Sequence, residues 1–167
     1  MCLNTYIHCM AIALRDEIKQ TRPFASLEQE AHLSIERTAA ILGHAVAEVL
    51  KPYGISRTQY NALRILRGAG EAGLTAGDVG DRMITRDPDV TRLLDRLETR
   101  GLAERSRCTE DRRVVWTHIT EAGLAAIAPL DTAVNELHLR RLGHLGPERL
   151  AALIELLEAA RGEPTPG

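Results

Sequence analysis

Apolar residues recur at helical spacing through most of the chain and switch to strand spacing once. Val90, Leu93, Leu94 and Leu97 stand at i, i+3, i+4 and i+7, one apolar helix face. Asp87 is a good N-cap ahead of this helix, Pro88 suits its first position, and Gly101 suits the left-handed residue that ends it. A shorter helix precedes it. Thr75 caps that helix with Asp78 three residues on, and Leu74 can staple to Val79. Gly77 and Gly80 weaken it by about 1 kcal/mol each relative to alanine, but permit close approach of a neighbouring helix. Only Thr85 and Arg86 are expected to separate the two helices, which favours a sharp corner. After Gly101 the pattern predicts strands over 102–107 and 113–119, joined by a loop over 108–112.

Long amphipathic helices are expected on either side. Ser26-Leu27-Glu28-Gln29 is a capping-box start, and Leu27, Ala31, Ile35, Ala39, Leu42, Val46 and Val49 continue one stripe until Pro52. Ser56-Arg57-Thr58-Gln59 opens another helix, with Ile55 and Tyr60 as its staple and Leu63 and Leu66 facing inward. Thr120 caps a helix carrying Leu124, Ile127, Val134, Leu137 and Leu142, in which Pro129 predicts a kink or a break. Gly146-Pro147 opens the last helix, with Leu150, Leu153, Ile154 and Leu157 on one face, and residues 163–167 form a frayed tail. Leu3, Ile7, Met10, Leu14 and Ile18 are spaced for an additional N-terminal helix. That segment lacks the basic start and small-residue cleavage site of a signal peptide, and Met10 is an alternative start. No apolar run is long enough for a membrane span.

The two-helix corner and its hairpin suit duplex DNA, since one helix can enter the major groove while the hairpin reaches a neighbouring groove. Thr91, Arg92, Asp95 and Arg96 point away from the apolar face, and Arg105, Arg107, Arg112 and Arg113 cluster in the hairpin. Arginine at a hairpin tip is drawn to a narrow minor groove. The plainer alternative is a solvated charged surface. The net charge of −2 does not itself indicate nucleic-acid binding. Residues 82–113 carry nine arginines and seven acids, a local +2 against −4 for the remainder. Nineteen of the 21 basic residues are arginine, which suits bidentate contacts, although codon bias explains the count equally well.

Other chemistry is sparse. Gly-rich phosphate loops, nucleophile elbows and paired metal-ligand motifs are missing from the sequence, so neither enzyme activity, cofactor nor metal is expected. His8, His138 and His144 do not form a metal pattern. Three cysteines, Cys2, Cys9 and Cys108, are an odd number that argues for a reducing cytoplasm and leaves oxidant sensing as an alternative.

The run Gln59-Tyr60-Asn61-Ala62-Leu63-Arg64, then Gly73-Leu74-Thr75, Val90-Thr91-Arg92-Leu93-Leu94-Asp95-Arg96-Leu97-Glu98, Arg100-Gly101-Leu102, Asp111-Arg112-Arg113 and Ile119-Thr120-Glu121-Ala122-Gly123 resembles the MarR family of winged helix-turn-helix regulators in order and spacing. The resemblance covers residues 26–161. It implies a mainly α fold with a small β-hairpin wing: a winged helix-turn-helix over 54–119, dimerisation helices over 26–51 and 120–161, an N-terminal extension over 1–25 and a flexible tail over 162–167. It further implies a homodimer whose second helix reads bases with its N-terminal half, while Arg113 enters the minor groove and Asp111 orients the hairpin. The expected DNA-contacting residues are Thr85, Arg86, Asp89, Thr91, Arg92, Arg96, Asp111, Arg112 and Arg113. The expected partners are a palindromic duplex operator, a second copy of the chain and a small aromatic or phenolic effector. With only Phe24, Trp116 and three tyrosines to line a pocket, no effector-binding residues are assigned. A repressor released by such an effector is the leading reading; a redox-sensing regulator and a winged-helix protein-interaction module without DNA binding are the alternatives.

Overall fold

Capping chemistry sets where the helices begin. The computed structural model describes residues 13–85, 89–107, 109–111 and 113–162. Chain contacts divide the protein into two compact units, residues 1–42 and 43–167. In the first, α1 (Leu14–Glu17) is short, and Lys19, two residues past its end, has a φ of 55° in the left-handed region. Leu3, Ile7 and Met10, expected on the same helix, lie outside the described residues. Helix α2 (Leu27–Leu50) begins as the sequence predicts: Gln29 N–H donates to Ser26 Oγ at 3.3 Å. The returning amide oxygen of Gln29 accepts from Ala25 N–H at 2.7 Å rather than from Ser26, one residue earlier than a strict capping box. Arg37 pairs with Glu17 at 2.7 Å.

The second unit holds the last turns of α2 and, after a 3₁₀ turn at Lys51–Tyr53, five more helices: α3 (Arg57–Ala69), α4 (Ala76–Arg82), α5 (Val90–Thr99), α6 (Glu121–Leu142) and α7 (Gly146–Arg161). Two of the three predicted capping boxes form in full, Ser56 with Gln59 on α3 and Thr75 with Asp78 on α4. Strands β1 (Ala103–Arg107) and β2 (Val115–Ile119) pair antiparallel, with Ala103 opposite Ile119 and Arg107 opposite Val115. A third backbone crosses this ribbon, which the sequence does not announce. Leu74 exchanges hydrogen bonds with Thr117 at 3.0 and 2.8 Å, so the entry to α4 is stitched to the hairpin.

Leu63 and Leu66 of α3, Val79 of α4, Leu94 and Leu97 of α5, and Ile127 and Leu130 of α6 meet in one fully buried core. Helix α6 runs through Pro129 without breaking, although proline supplies no N–H and crowds the preceding turn. The buried Ile127 and Leu130 on either side anchor both turns to the same core. Gly123 permits the start of α6 to lie against the backbone after α5: a Cβ there would stand 2.2 Å from the Leu102 carbonyl oxygen. No helix of the described residues is long and apolar enough to cross a membrane.

Candidate nucleic-acid interface

Helix α5 separates its two faces cleanly. Leu93, Leu94 and Leu97 are buried, while Thr91, Arg92, Asp95 and Arg96 are exposed on the opposite side. Its cap differs from the sequence expectation. The helix starts at Val90, and Asp89 is the N-cap, accepting the Arg92 N–H on Oδ1 at 3.1 Å. Asp87, expected as the cap, and Pro88, expected at the first helical position, lie outside the described residues. Helix α4 ends at Arg82 and α5 begins at Val90, farther apart in the sequence than the two residues expected.

Asp89 also engages the side chain it caps: Oδ2 stands 3.1 Å from Arg92 Nε. The Arg92 side chain is 76% exposed, so the pair orients the guanidinium without burying it. Arg92, Arg96 and Asp89 line a polar cleft of about 170 Å³ with Ser56, Thr58, Gln59 and Leu93. Arg96 has no ion-pair partner among the described residues. Thr85 is exposed before α5, beside Ile84, whose N–H donates to Asn61 Oδ1 at 3.0 Å and ties the corner to α3. Arg86 and Arg112, both expected at the interface, lie outside the described residues, as do Cys2, Cys9 and Cys108.

At the hairpin turn Asp111 organises the backbone. Its Oδ1 accepts from Arg113 N–H at 2.9 Å, and its carbonyl accepts from Val114 N–H at 3.0 Å. The Arg113 Nε lies 4.0 Å from Asp111 Oδ1 and its side chain is 95% exposed, so the guanidinium is open to solvent. Arg105 behaves differently from the hairpin arginine cluster that the sequence suggests. It turns back onto α5, hydrogen-bonds Asp95, stands 3.7 Å from Glu98, and donates to the Thr91 carbonyl at 3.1 Å. The alternation of β1 carries the signal, since Ala103 is buried and Arg105 is two residues on, on the same face.

Behind α5, a polar link joins α3 to α6. Tyr60 Oη donates to Asp131 Oδ1 at 2.6 Å, Arg67 hydrogen-bonds Oδ2, and Arg64 Nε lies 3.8 Å from Oδ1. Burial raises the Tyr60 pKa to about 12, helped by its donation to Asp131 and by the Asp131 charge, with Arg64 and Arg67 opposing. Burial also acts to raise the Asp131 pKa, but the hydrogen bonds from Arg67 and Tyr60 and the nearby guanidinium charges outweigh it and hold the carboxyl below its ordinary range. Asp78 is likewise held low, first by the Thr75 hydroxyl and then by the Thr75 N–H. Among the described residues no group of three or more His, Cys, Asp or Glu could hold a metal ion.

The arrangement matches known proteins along the chain. The profile of the MarR family matches residues 53–114, the stretch from the end of the 3₁₀ turn before α3 to the residue before β2. An uncharacterized HTH-type transcriptional regulator of Bacillus subtilis, YsmB, is 31% identical over 103 residues, covering 62% of this chain and 69% of its own. The crystal structure of a MarR transcription factor from Planctomyces limnophilus is 41% identical, with a TM-score of 0.62, and the match covers 82% of this chain and 99% of that one. The fold is shared with a crystal structure of the S. aureus MepR–DNA complex at 20% identity and a TM-score of 0.68, over 77% of this chain and 96% of that one. With an exposed arginine-bearing helix, a capped corner before it and an arginine-tipped wing after it, the chain belongs to the MarR family of winged helix-turn-helix transcription regulators.

Proposed function

We propose that this protein is a homodimeric, sequence-specific repressor that grips duplex DNA with α5 in the major groove and the wing in the adjacent minor groove, and that a small aromatic or phenolic effector releases it. One observation carries the DNA part. Arg92 and Arg96 stand exposed on α5, whose opposite face is buried, and Arg113 stands exposed in the hairpin turn that follows, so their charges are offered outward. Thr85, Asp89, Thr91 and Asp111 complete the same surface, and Arg86 and Arg112 belong to the proposed set by sequence. MepR, which shares the fold, has been crystallised with DNA.

The homodimer is supported by apolar side chains left uncovered on the flanking helices. In the first unit Leu27 and Ile35 are exposed on α2; in the second, Leu139 on α6 and Ile154 and Leu156 on α7 are exposed. Helix α7 buries none of its residues within the chain. A second copy covering such faces would set two reading helices about one DNA turn apart, roughly 34 Å, and make the operator palindromic. The effector rests on the family resemblance. It need only prefer an arrangement that mis-spaces the two helices.

The test is selection of bound duplexes from a random-sequence pool, followed by mobility shifts under salt titration. Enrichment of a palindrome and a steep loss of affinity with salt are expected, because phosphate contacts release counterions. Arg113→Ala should lose preference for A·T-rich flanks. No enriched sequence would leave the protein-interaction module as the better reading. For the effector, unchanged operator affinity across a panel of aromatic and phenolic acids would remove that part, and a response only to oxidants would favour the cysteines.

A further inference from the structure

We infer that Arg105 is a positioning residue that locks the wing to the reading helix at one angle, and that Asp95 serves this lock rather than DNA. The inference rests on the proposed DNA reading. Arg105 is the one hairpin arginine of the described residues folded back onto the body: its side chain is 21% exposed against 95% for Arg113. Its guanidinium makes a hydrogen bond to Asp95, lies 3.7 Å from Glu98, and donates to the Thr91 carbonyl at 3.1 Å, so it grips two turns of α5. A planar fork of donors fixes direction as well as distance, which a lysine ammonium does not. On the other side, Arg105 sits opposite Thr117, whose backbone is bonded to Leu74 at the entry to α4. Corner, hairpin and reading helix thus form a closed circuit, and Arg105 is the side chain that closes it.

Charge gives the arrangement a second consequence. Asp95 and Glu98 are carboxylates on the helix proposed to face phosphates, where they would repel DNA unless neutralised. Arg105 supplies that neutralisation while remaining too enclosed to serve as an outward probe itself.

The two roles predict opposite signs for one substitution. If Asp95 mattered only as a negative charge, Asp95→Asn would tighten binding to any duplex. If it anchors Arg105, Asp95→Asn loosens operator binding by about tenfold, equivalent to the loss of roughly one good polar contact, while affinity for non-operator duplex holds or rises. Arg105→Lys, which keeps the charge but not the fork, should give the same selective loss. The double variant Asp95→Asn/Arg113→Ala should lose less than the product of the two single effects, since an unlocked wing no longer delivers Arg113. Circular dichroism melts establish that each variant is folded at the assay temperature. Operator affinity equal to or tighter than wild type in Asp95→Asn, parallel losses on every duplex, or fully multiplicative effects with Arg113→Ala would overturn the inference and leave the DNA reading intact. A wild-type protein that enriches no sequence would overturn both.

Discussion

Arg92 and Arg113, the two arginines proposed to contact DNA, start from different states. Arg92 is held at 3.1 Å by Asp89, so its geometry is set in advance; Arg113 projects from a turn that Asp111 holds in shape. Pre-set geometry suits base discrimination, because a side chain already ordered loses less entropy on binding. Arg92→Ala should therefore flatten the difference between matched and mismatched operators by about 1–3 kcal/mol, measured by titrating duplexes that differ at single base pairs; an unchanged difference would reassign the helix. Tyr60 offers a prediction in pH. Its pKa is raised from 10.0 to about 12, so the neutral phenol is favoured in the folded state. That stabilisation is complete below pH 10 and is lost as the pH climbs through about 12. Ultraviolet titration should show a tyrosine ionising late, and Tyr60→Phe should abolish that step. At this scale the sequence was most legible where chemistry is local: Ser56, Thr75 and Thr120 all cap as their neighbours imply. It was less so where two similar groups compete, as Asp87 and Asp89 do around Pro88. Asp89 is the one that caps.

Among the elements, α3 is the hub. Its inner face supplies Leu63 and Leu66 to the core, and its Tyr60 and Arg67 reach across to Asp131 on α6. Removing that carboxylate leaves a buried phenol and a guanidinium without their shared acceptor. Asp131→Ala should cost about 1–3 kcal/mol, read as a lower urea midpoint with an unchanged slope; an unaltered midpoint would mean that water replaces the carboxylate at no cost. Helix periods and the switch to strand spacing after Gly101 were readable because each is a repeat within a few residues. The Leu74–Thr117 crossing and the Tyr60–Asp131 link were not, since they join residues 43 and 71 positions apart. Arg105 was legible only in part: its place in a charged hairpin suggested a solvent-facing arginine, and the alternation from buried Ala103 is the signal that puts it on the inner face.

For the whole molecule, the apolar stripes of the flanking helices were evident in the sequence, but a stripe does not state what covers it. Helix α7 leaves Ile154 and Leu156 exposed, with Leu156 at 68%. If a second copy covers them, Ile154→Glu should convert a dimer to a monomer in sedimentation equilibrium and reduce operator affinity by at least about tenfold, since one reading head makes half the contacts. A variant that stays dimeric would place the twofold contact on other helices.

Thr120 joins the two ends of this machinery. Its hydroxyl donates to the Gly101 carbonyl at 2.6 Å, just past the end of α5, and accepts from Gly123 N–H at 3.0 Å in the first turn of α6. The end of α5 is thus tied to the start of α6, and the residues proposed to probe DNA lie toward the other end of α5. A tilt of about 10° at that tie would swing the other end of the ten-residue helix, about 15 Å away, by roughly 2.5 Å. Such a swing approaches the whole length of a hydrogen bond to a base edge. A small molecule that nudges α6 would therefore have leverage over recognition while remaining far from the groove.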